Sequence, residues 1–412
     1  METNITNISG PISLYIHHYD NKKYFFFGDA HFSITNNCTD LGFNCDYLNR
    51  DANCIMIVDL LHIWFLYNSK YDIKTDFYLE IPFTKIDKRE IFPDIDYLRK
   101  IRNFFSTCFF TNKNKCPYPN IHGHYMDNRR YGTIQKYTFP FRMVLVETVL
   151  KIFYEGKYEG KYDLHMIYYD VVLWIRFLLS NILVLMRYLL SPYGLEDYYN
   201  LLNSVLDKNF KTDFVKTLLT YLSPTNDYTN IDFFTVNRTI DGKNIKMFKT
   251  AWELYKLKLT NKFIYEKLQS YINDRLNNLV SNIETYYDYT NYYIKYFNRK
   301  ITPDDQTFTT MIDNFDLFFE TLEGNMPDFY YLSRLFTQTE SEEIVTYTGD
   351  FHTINYNQFF KKYLNNIPLL EINSDYINMQ IGDIKRCPSV DNLNDFIPVN
   401  LYKDSLNDNY YS

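Results

Sequence analysis

KYFFFGDAHFS (residues 23–33) and VTYTGDFHTI (residues 345–354) decide the fold. Each is an apolar β-run that ends in Gly-Asp-x-His, as Gly28-Asp29-Ala30-His31 in the first and Gly349-Asp350-Phe351-His352 in the second. With 12 Gly and 8 His in 412 residues, two such copies in the same context are improbable by chance. A glycine at a strand end lets the backbone turn sharply without a Cβ clash. The side chains that follow then point into the crevice above the strands, where α/β sheets bind ligands. Asp beside His offers a hard oxygen and an imidazole, which suit a divalent metal or general acid/base chemistry.

Around these two runs the sequence predicts an α/β fold, or α+β with a long helical middle section. A central sheet carries the strand-end Gly-Asp-x-His motifs and helices lie on both sides. SLYIHHY (13–19) pairs with KYFFFGD (23–29) through a turn at Asp20-Asn21-Lys22. CIMIVDLLHIWFLYN (54–68) is apolar on both faces and too long for a strand, so it reads as a buried helix. DFYLEIPF (76–83) reads as a short buried strand ended by Pro82, and EIVTYTGD (343–350) as the last strand. Helices are predicted at 142–153, 164–190, 195–207, 250–270, 272–298, 305–320 and 327–337. A surface loop is predicted at 224–248. The domain reading is an N-terminal half of the core (1–140), a helical section (141–300), a C-terminal half (301–387) and a tail (388–412) that is poorly ordered or tied down by single aromatics.

Composition narrows the class. Aromatics make up 19% of the chain and hydrophobic residues 46%, which excludes a disordered or fibrous protein. Only three alanines occur, while Asn, Tyr, Ile and Lys abound. That skew follows AT-rich codons, such as those of a large DNA virus. A net charge of −7 argues against a nucleic-acid partner. The stretch VVLWIRFLLSNILVLMRYLL (171–190) is interrupted by Arg176 and Arg187, so a buried helix is expected there and no membrane partner. The N-terminus shows no basic region followed by an apolar run, and the six cysteines form no C-x-x-C pair. A reducing compartment is therefore expected, the cytoplasm or a virion. Cys38, Cys45 and Cys54 are spaced by seven and nine, unlike zinc-ribbon spacing, and a metal is disfavoured there.

The candidate catalytic residues are His31, Glu80, His352, Asp29 and Asp350. Glu80 lies within the otherwise apolar DFYLEIPF, and a carboxylate on a buried strand must be paired or functional. His31, Glu80 and His352 are also the candidate ligands of a divalent metal (Mn, Co or Zn). A second cluster, HGHYMDNRR, brings His124, Asp127 and Arg129 together as a candidate clamp for an anionic or other substrate, the alternative being a solvated loop. His17, His18, His62 and His165 read as core histidines, and Glu340, Glu342 and Glu343 as a solvated turn before the last strand.

The order of these motifs resembles the superfamily of erythromycin esterases, ChaN-like haem-uptake proteins and Tiki/TraB proteins, and among them uncharacterised giant-virus proteins. The shared pattern is a strand ending in Gly-acid-x-His, a helix, a strand ending in Glu, a helical section and a final strand ending in Gly-x-x-His. The helix before the last strand, Asp328-Phe329-Tyr330-Tyr331-Leu332-Ser333-Arg334, carries the Asp, Tyr, Leu and Arg of that lineage. The resemblance covers about 24–83 and 326–354. It implies a hydrolase of ester or amide bonds acting on a small-molecule or peptide substrate, metal-dependent in Tiki-type members. His31, His352 and Glu80 take the family positions, and Arg334 contacts substrate. Asp29 stands where the family has Glu, a side chain shorter by about 1.5 Å. The alternatives are a catalytically inactive viral scaffold or interaction protein, and a calcineurin-like metallophosphoesterase. The last begins with strand-Gly-Asp-x-His and has a Gly-His-x-His element that His122-Gly123-His124 imitates, but its remaining ligand motifs are missing.

Overall fold

The structure is a computed structural model that describes residues 5–30, 37–46, 52–82, 97–105, 108, 116–127, 169, 172–173, 176, 180, 190, 235–298, 324–337, 340–373, 385–390 and 393–397. The chain forms two compact units. One comprises Met1–Asp127 and Gln338–Ser412, the other Asn128–Thr337.

The first unit opens with strands β1 (Asn7–Ser9), β2 (Ser13–Tyr19) and β3 (Lys22–Asp29). Asp20 and Asn21 take positive φ values of 50° and 60°, giving the two-residue turn that matches strand twist, and β2 and β3 pair antiparallel with Ser13 opposite Gly28. Strand β4 (Cys54–Met56) runs straight into helix α1 (Ile57–Lys70), so the apolar run read as one helix begins as a strand. Its first three residues pair in parallel with β1. Strand β5 (Thr75–Pro82), helix α2 (Tyr97–Phe104) and strand β6 (Ile121–Asp127) follow.

The described part of the second unit holds a hairpin, β7 (Thr235–Ile240) and β8 (Lys243–Phe248), then helices α3 (Lys249–Thr260), α4 (Lys262–Asn298) and α5 (324–335). The hairpin corrects the loop expected at 224–248. Asp241-Gly242, with φ of 48° and 76°, is a two-residue hairpin turn, and the polar composition hid it. Arg334 and Thr337 both engage Glu253 of α3. Most of 141–234, and the predicted helix at 305–320, lie outside the described residues. Among the described residues no helix is long and apolar enough to cross a membrane; most of 171–190 is not among them.

The chain re-enters the first unit as β9 (Glu343–Gly349), α6 (Asp350–Gln358), a π-helical turn (Phe359–Tyr363), β10 (Leu370–Ile372) and α7 (Leu393–Phe396). The six-stranded sheet has the order β10-β2-β3-β9-β5-β6. Strands β3, β9, β5 and β6 are parallel, with helices around the sheet, which makes the class mixed α/β as expected. Strand β9 threads between β3 and β5 and is buried at every residue.

Alternation divides the sheet into two faces. Phe25, Phe27, Phe77, Leu79, Val345 and Tyr347 share one large core with Leu60, Trp64 and Phe65 of α1 and Tyr97 and Ile101 of α2. Each such side chain contributes about 1.5–3 kcal/mol by leaving water. The opposite face carries Tyr24 and Phe26, whose rings meet Phe360 at 4.9 and 5.5 Å. Two expectations are corrected here. Glu343 is buried, not a solvated turn residue: it accepts hydrogen bonds from Trp64 Nε1 (2.9 Å) and Asn68 Nδ2 (2.7 Å), while burial raises its pKa. The described part of the tail is held chiefly by aliphatic residues: Val390, Leu393 and Ile397 are fully buried in the core, and Phe396 packs against it. All six cysteines are paired, as Cys38–Cys387, Cys45–Cys54 and Cys108–Cys116.

Two consequences are measurable. A Cβ on Gly28 would run into Ser13 Oγ and Asp350 Oδ1 and stand 3.1 Å from Asp350 Cα. Backbone cannot swing aside as a side chain does, so Gly28→Ala is expected to destabilise the fold by about 1–3 kcal/mol, read from the urea midpoint. His17 is buried between Asn366 and Asn357 (2.8 and 3.0 Å), and burial lowers its pKa despite both hydrogen bonds. The unfolded chain thus takes up the proton first, and the stability contributed by the neutral ring is present above about pH 6.5 and lost as pH falls below it. Urea midpoints from pH 7.5 to 5 are expected to fall less steeply for His17→Gln than for the parent.

Candidate active site

Glu80 and Gly349 meet because β5 and β9 are neighbours that end at the same level. The N–H of Gly349 donates to Glu80 Oε2 at 2.6 Å. Gly349 is the residue before α6, so the carboxylate lies over the amino end of that helix, where unpaired N–H groups and the helix dipole favour an anion. His352, in the first turn of α6, places Nε2 3.3 Å from Glu80 Oε1, and both side chains are about 95% buried or more. A carboxylate fixed by backbone and touching an imidazole is an orienting pair of the kind that holds a proton-transferring histidine in place.

Asp350 accepts a short hydrogen bond from the Ser13 hydroxyl across Gly28. The absent side chain of Gly28 permits this approach, so the first motif's glycine serves the second motif's aspartate. Ser13 escaped notice in the sequence although counting back from the Asp20-Asn21 turn places it opposite Gly28.

Asp29 goes elsewhere. It alternates with Gly28 and so shares the face of Phe25 and Phe27, where Oδ1 lies 3.1 Å from Arg386 Nη1, both side chains being buried. The Arg386 guanidinium also stacks over the Tyr97 ring at 5.8 Å, and Tyr97 shares a hydrogen bond with Ser9. Asp29 is therefore not brought together with Glu80 and His352, contrary to its grouping with them by motif. Nothing local in the sequence marks Arg386 as its partner.

His31 and Arg129 lie outside the described residues, and Asp127 is described only as the last residue of β6. His124 is engaged lower on the same sheet: its Nε2 is 2.8 Å from Asp76 Oδ1 and its ring stacks on Tyr78 at 4.6 Å. His122 reaches the same oxygen at 3.6 Å. Burial would raise the Asp76 pKa, but the hydrogen bonds from His124 and Ser341 and the two imidazoles outweigh it and lower it. Asp76 lies four residues before Glu80, about 13 Å along a strand. His124 is thus a partner of Asp76 near the amino end of β5, inside a strand. A Gly-His-x-His metal loop needs it at a strand end. Arg334 belongs to the second unit, where Nη1 lies 3.1 Å from Tyr330 Oη and 3.9 Å from Glu253 Oε1. His62, read as a core histidine, pairs with the Tyr118 hydroxyl.

The Glu80–His352 separation of 3.3 Å is also the distance expected between two ligands of one ion with bonds of about 2 Å. The two side chains thus fit a divalent ion for which His31 is the third candidate. Among the described residues the one group of three or more potential ligands within reach of a common ion is Cys38, Cys45 and Cys54.

The Asp29–Arg386 pair is expected to be structural. Asp29→Asn leaves a buried guanidinium without its counter-charge and should cost about 3–5 kcal/mol. The double variant Asp29→Asn/Arg386→Met should recover most of this, as measured by urea unfolding with the disulfides intact. No family model, curated protein or solved structure matches the chain.

Proposed function

We propose that the unit built from Met1–Asp127 and Gln338–Ser412 is a hydrolase of ester or amide bonds. One observation carries this reading: a buried carboxylate–imidazole pair, Glu80 and His352, stands at the carboxyl ends of adjacent parallel strands, where open α/β sheets bind ligands. In this role Glu80, held by the Gly349 N–H, engages Nε2 and stabilises the imidazolium. His352 takes the proton of the attacking water at Nδ1 and returns it to the leaving group. A divalent ion (Mn, Co or Zn) fits between Glu80 and His352, with His31 as a further ligand, and when bound it would acidify a water. The resemblance to erythromycin esterases and Tiki-type proteins supports the same class, with a small-molecule or peptide substrate.

A second reading, a catalytically inactive scaffold, is favoured by a specific feature. Glu80 also satisfies the first backbone N–H at the start of α6, a structural task that needs no substrate.

The two readings separate on a panel of esters and amides with and without added Mn²⁺, Co²⁺ or Zn²⁺. The hydrolase reading expects turnover that falls roughly 100-fold or more in His352→Ala, the scale of a lost acid/base group, with far-UV circular dichroism retained. Glu80→Gln should lose a similar factor and flatten the acid limb of the pH profile. Turnover unchanged in both folded variants, or none by the parent on any substrate, supports the scaffold.

A further inference from the structure

We infer that Cys38, Cys45, Cys54 and Cys387 form a four-thiolate site for one zinc ion when the chain is reduced. The inference is independent of the hydrolase reading and concerns a different place in the fold.

Two structural disulfides need their sulfurs close only within each pair. Here the sulfurs of Cys38, Cys45 and Cys54, drawn from both pairs, all lie within 4.8 Å of one another. Cys387 is bonded to Cys38 and completes the set. A tetrahedral zinc–thiolate site with bonds of about 2.3 Å has sulfur–sulfur edges of about 3.8 Å. Cys38, Cys45 and Cys54 are thus within about 1 Å of that spacing, and Cys387, held against Cys38, has to turn toward Cys45 and Cys54 once its bond is reduced. Cys38 and Cys54 are fully buried, and Phe43 and Met56 pack against the group, so the surroundings exclude water as a closed structural site does. Cys108–Cys116 stands apart from this cluster and supplies an internal control.

Sequence spacing could not show this site, because the fourth cysteine arrives after a separation of 349 residues. Backbone bonds bring it there: Asn37 bridges to Arg386, Gly10 N–H donates to Arg386 O (3.1 Å) and Ile8 N–H to Pro388 O (3.2 Å). Residue 387 follows Arg386, the buried partner of Asp29. Either crosslink, two disulfides or one zinc, therefore fastens the C-terminal segment to the stretch around Cys38. The chemistry balances. A phosphine reductant supplies four electrons and water four protons, giving four thiols from two disulfides. One Zn²⁺ then displaces up to four protons as the thiolates bind.

The experiment reduces the full-length chain with a phosphine under argon and titrates it with Zn²⁺ or Co²⁺. One ion per chain is expected, with the thiolate-to-cobalt charge-transfer bands and visible d–d bands of a tetrahedral Co²⁺ site. Cys108→Ser/Cys116→Ser should keep this stoichiometry, and Cys38→Ser/Cys387→Ser and Cys45→Ser/Cys54→Ser should lose it. Alkylation followed by mass spectrometry tests the parent chain without relying on variants that fail to fold. Zn²⁺ should shield Cys38, Cys45, Cys54 and Cys387 while Cys108 and Cys116 react. Three outcomes overturn the inference: disulfides that resist reduction while the chain stays folded, a reduced folded chain that takes up no ion, or equal alkylation of all six cysteines with and without zinc.

Discussion

Insertion of β9 between β3 and β5 is the constraint on which the rest depends. A parallel strand in the middle of a sheet pairs on both sides, and β9 does so from Glu343 to Gly349, with every residue buried. Because it arrives from the far end of the chain, the first unit cannot close until the second has been traversed. The same insertion sets Asp29 opposite Gly349 and brings Glu80 to the Gly349 N–H. The amino end of α6 and its His352 are thereby delivered to the carboxyl edge of the sheet.

Contact at that edge is made at backbone distance. Gly28 sits so close to Asp350 that its missing side chain is part of the packing, and the Ser13 hydroxyl reaches Asp350 across it. Sheet register supplies this accuracy. The Asp20-Asn21 turn fixes β2 against β3, β3 fixes β9, and a slip of one residue at any step would turn Glu80 or His352 away from its partner.

Much of the first unit was legible because its signals are local. The turn at Asp20-Asn21 and the runs ending in Gly28, Pro82 and Gly349 mark strands by apolar content and by breakers at their ends. What escaped is non-local. Asp29 and Asp350 occupy equivalent places in the same motif, yet alternation and the positions of Arg386 and Ser13 send them to different networks. Arg386 lies in a polar segment with no periodicity, and the cysteine partners come from opposite ends of the chain, so no window of sequence holds the information. The hairpin at Asp241-Gly242 was a signal present but outweighed by composition.

Four buried carboxylates show how position divides structure from chemistry. Asp29 is neutralised by a guanidinium, which does not titrate near neutral pH, and its pair is suited to bracing. Glu343 faces the neutral donors Trp64 and Asn68, burial pushes its pKa upward, and it anchors the start of β9. Asp76 and Glu80 both face histidines, the side chain whose ordinary pKa lies nearest neutral pH. Those two differ in their place on β5. Asp76 is near the amino end, where the loops that lead into parallel strands make no ligand crevice. Glu80 is near the carboxyl end, at the amino terminus of α6, where the helix dipole and the Gly349 N–H favour an anion. The asymmetry of a parallel sheet therefore places two similar carboxylate–imidazole pairs in unlike surroundings at the two ends of one strand.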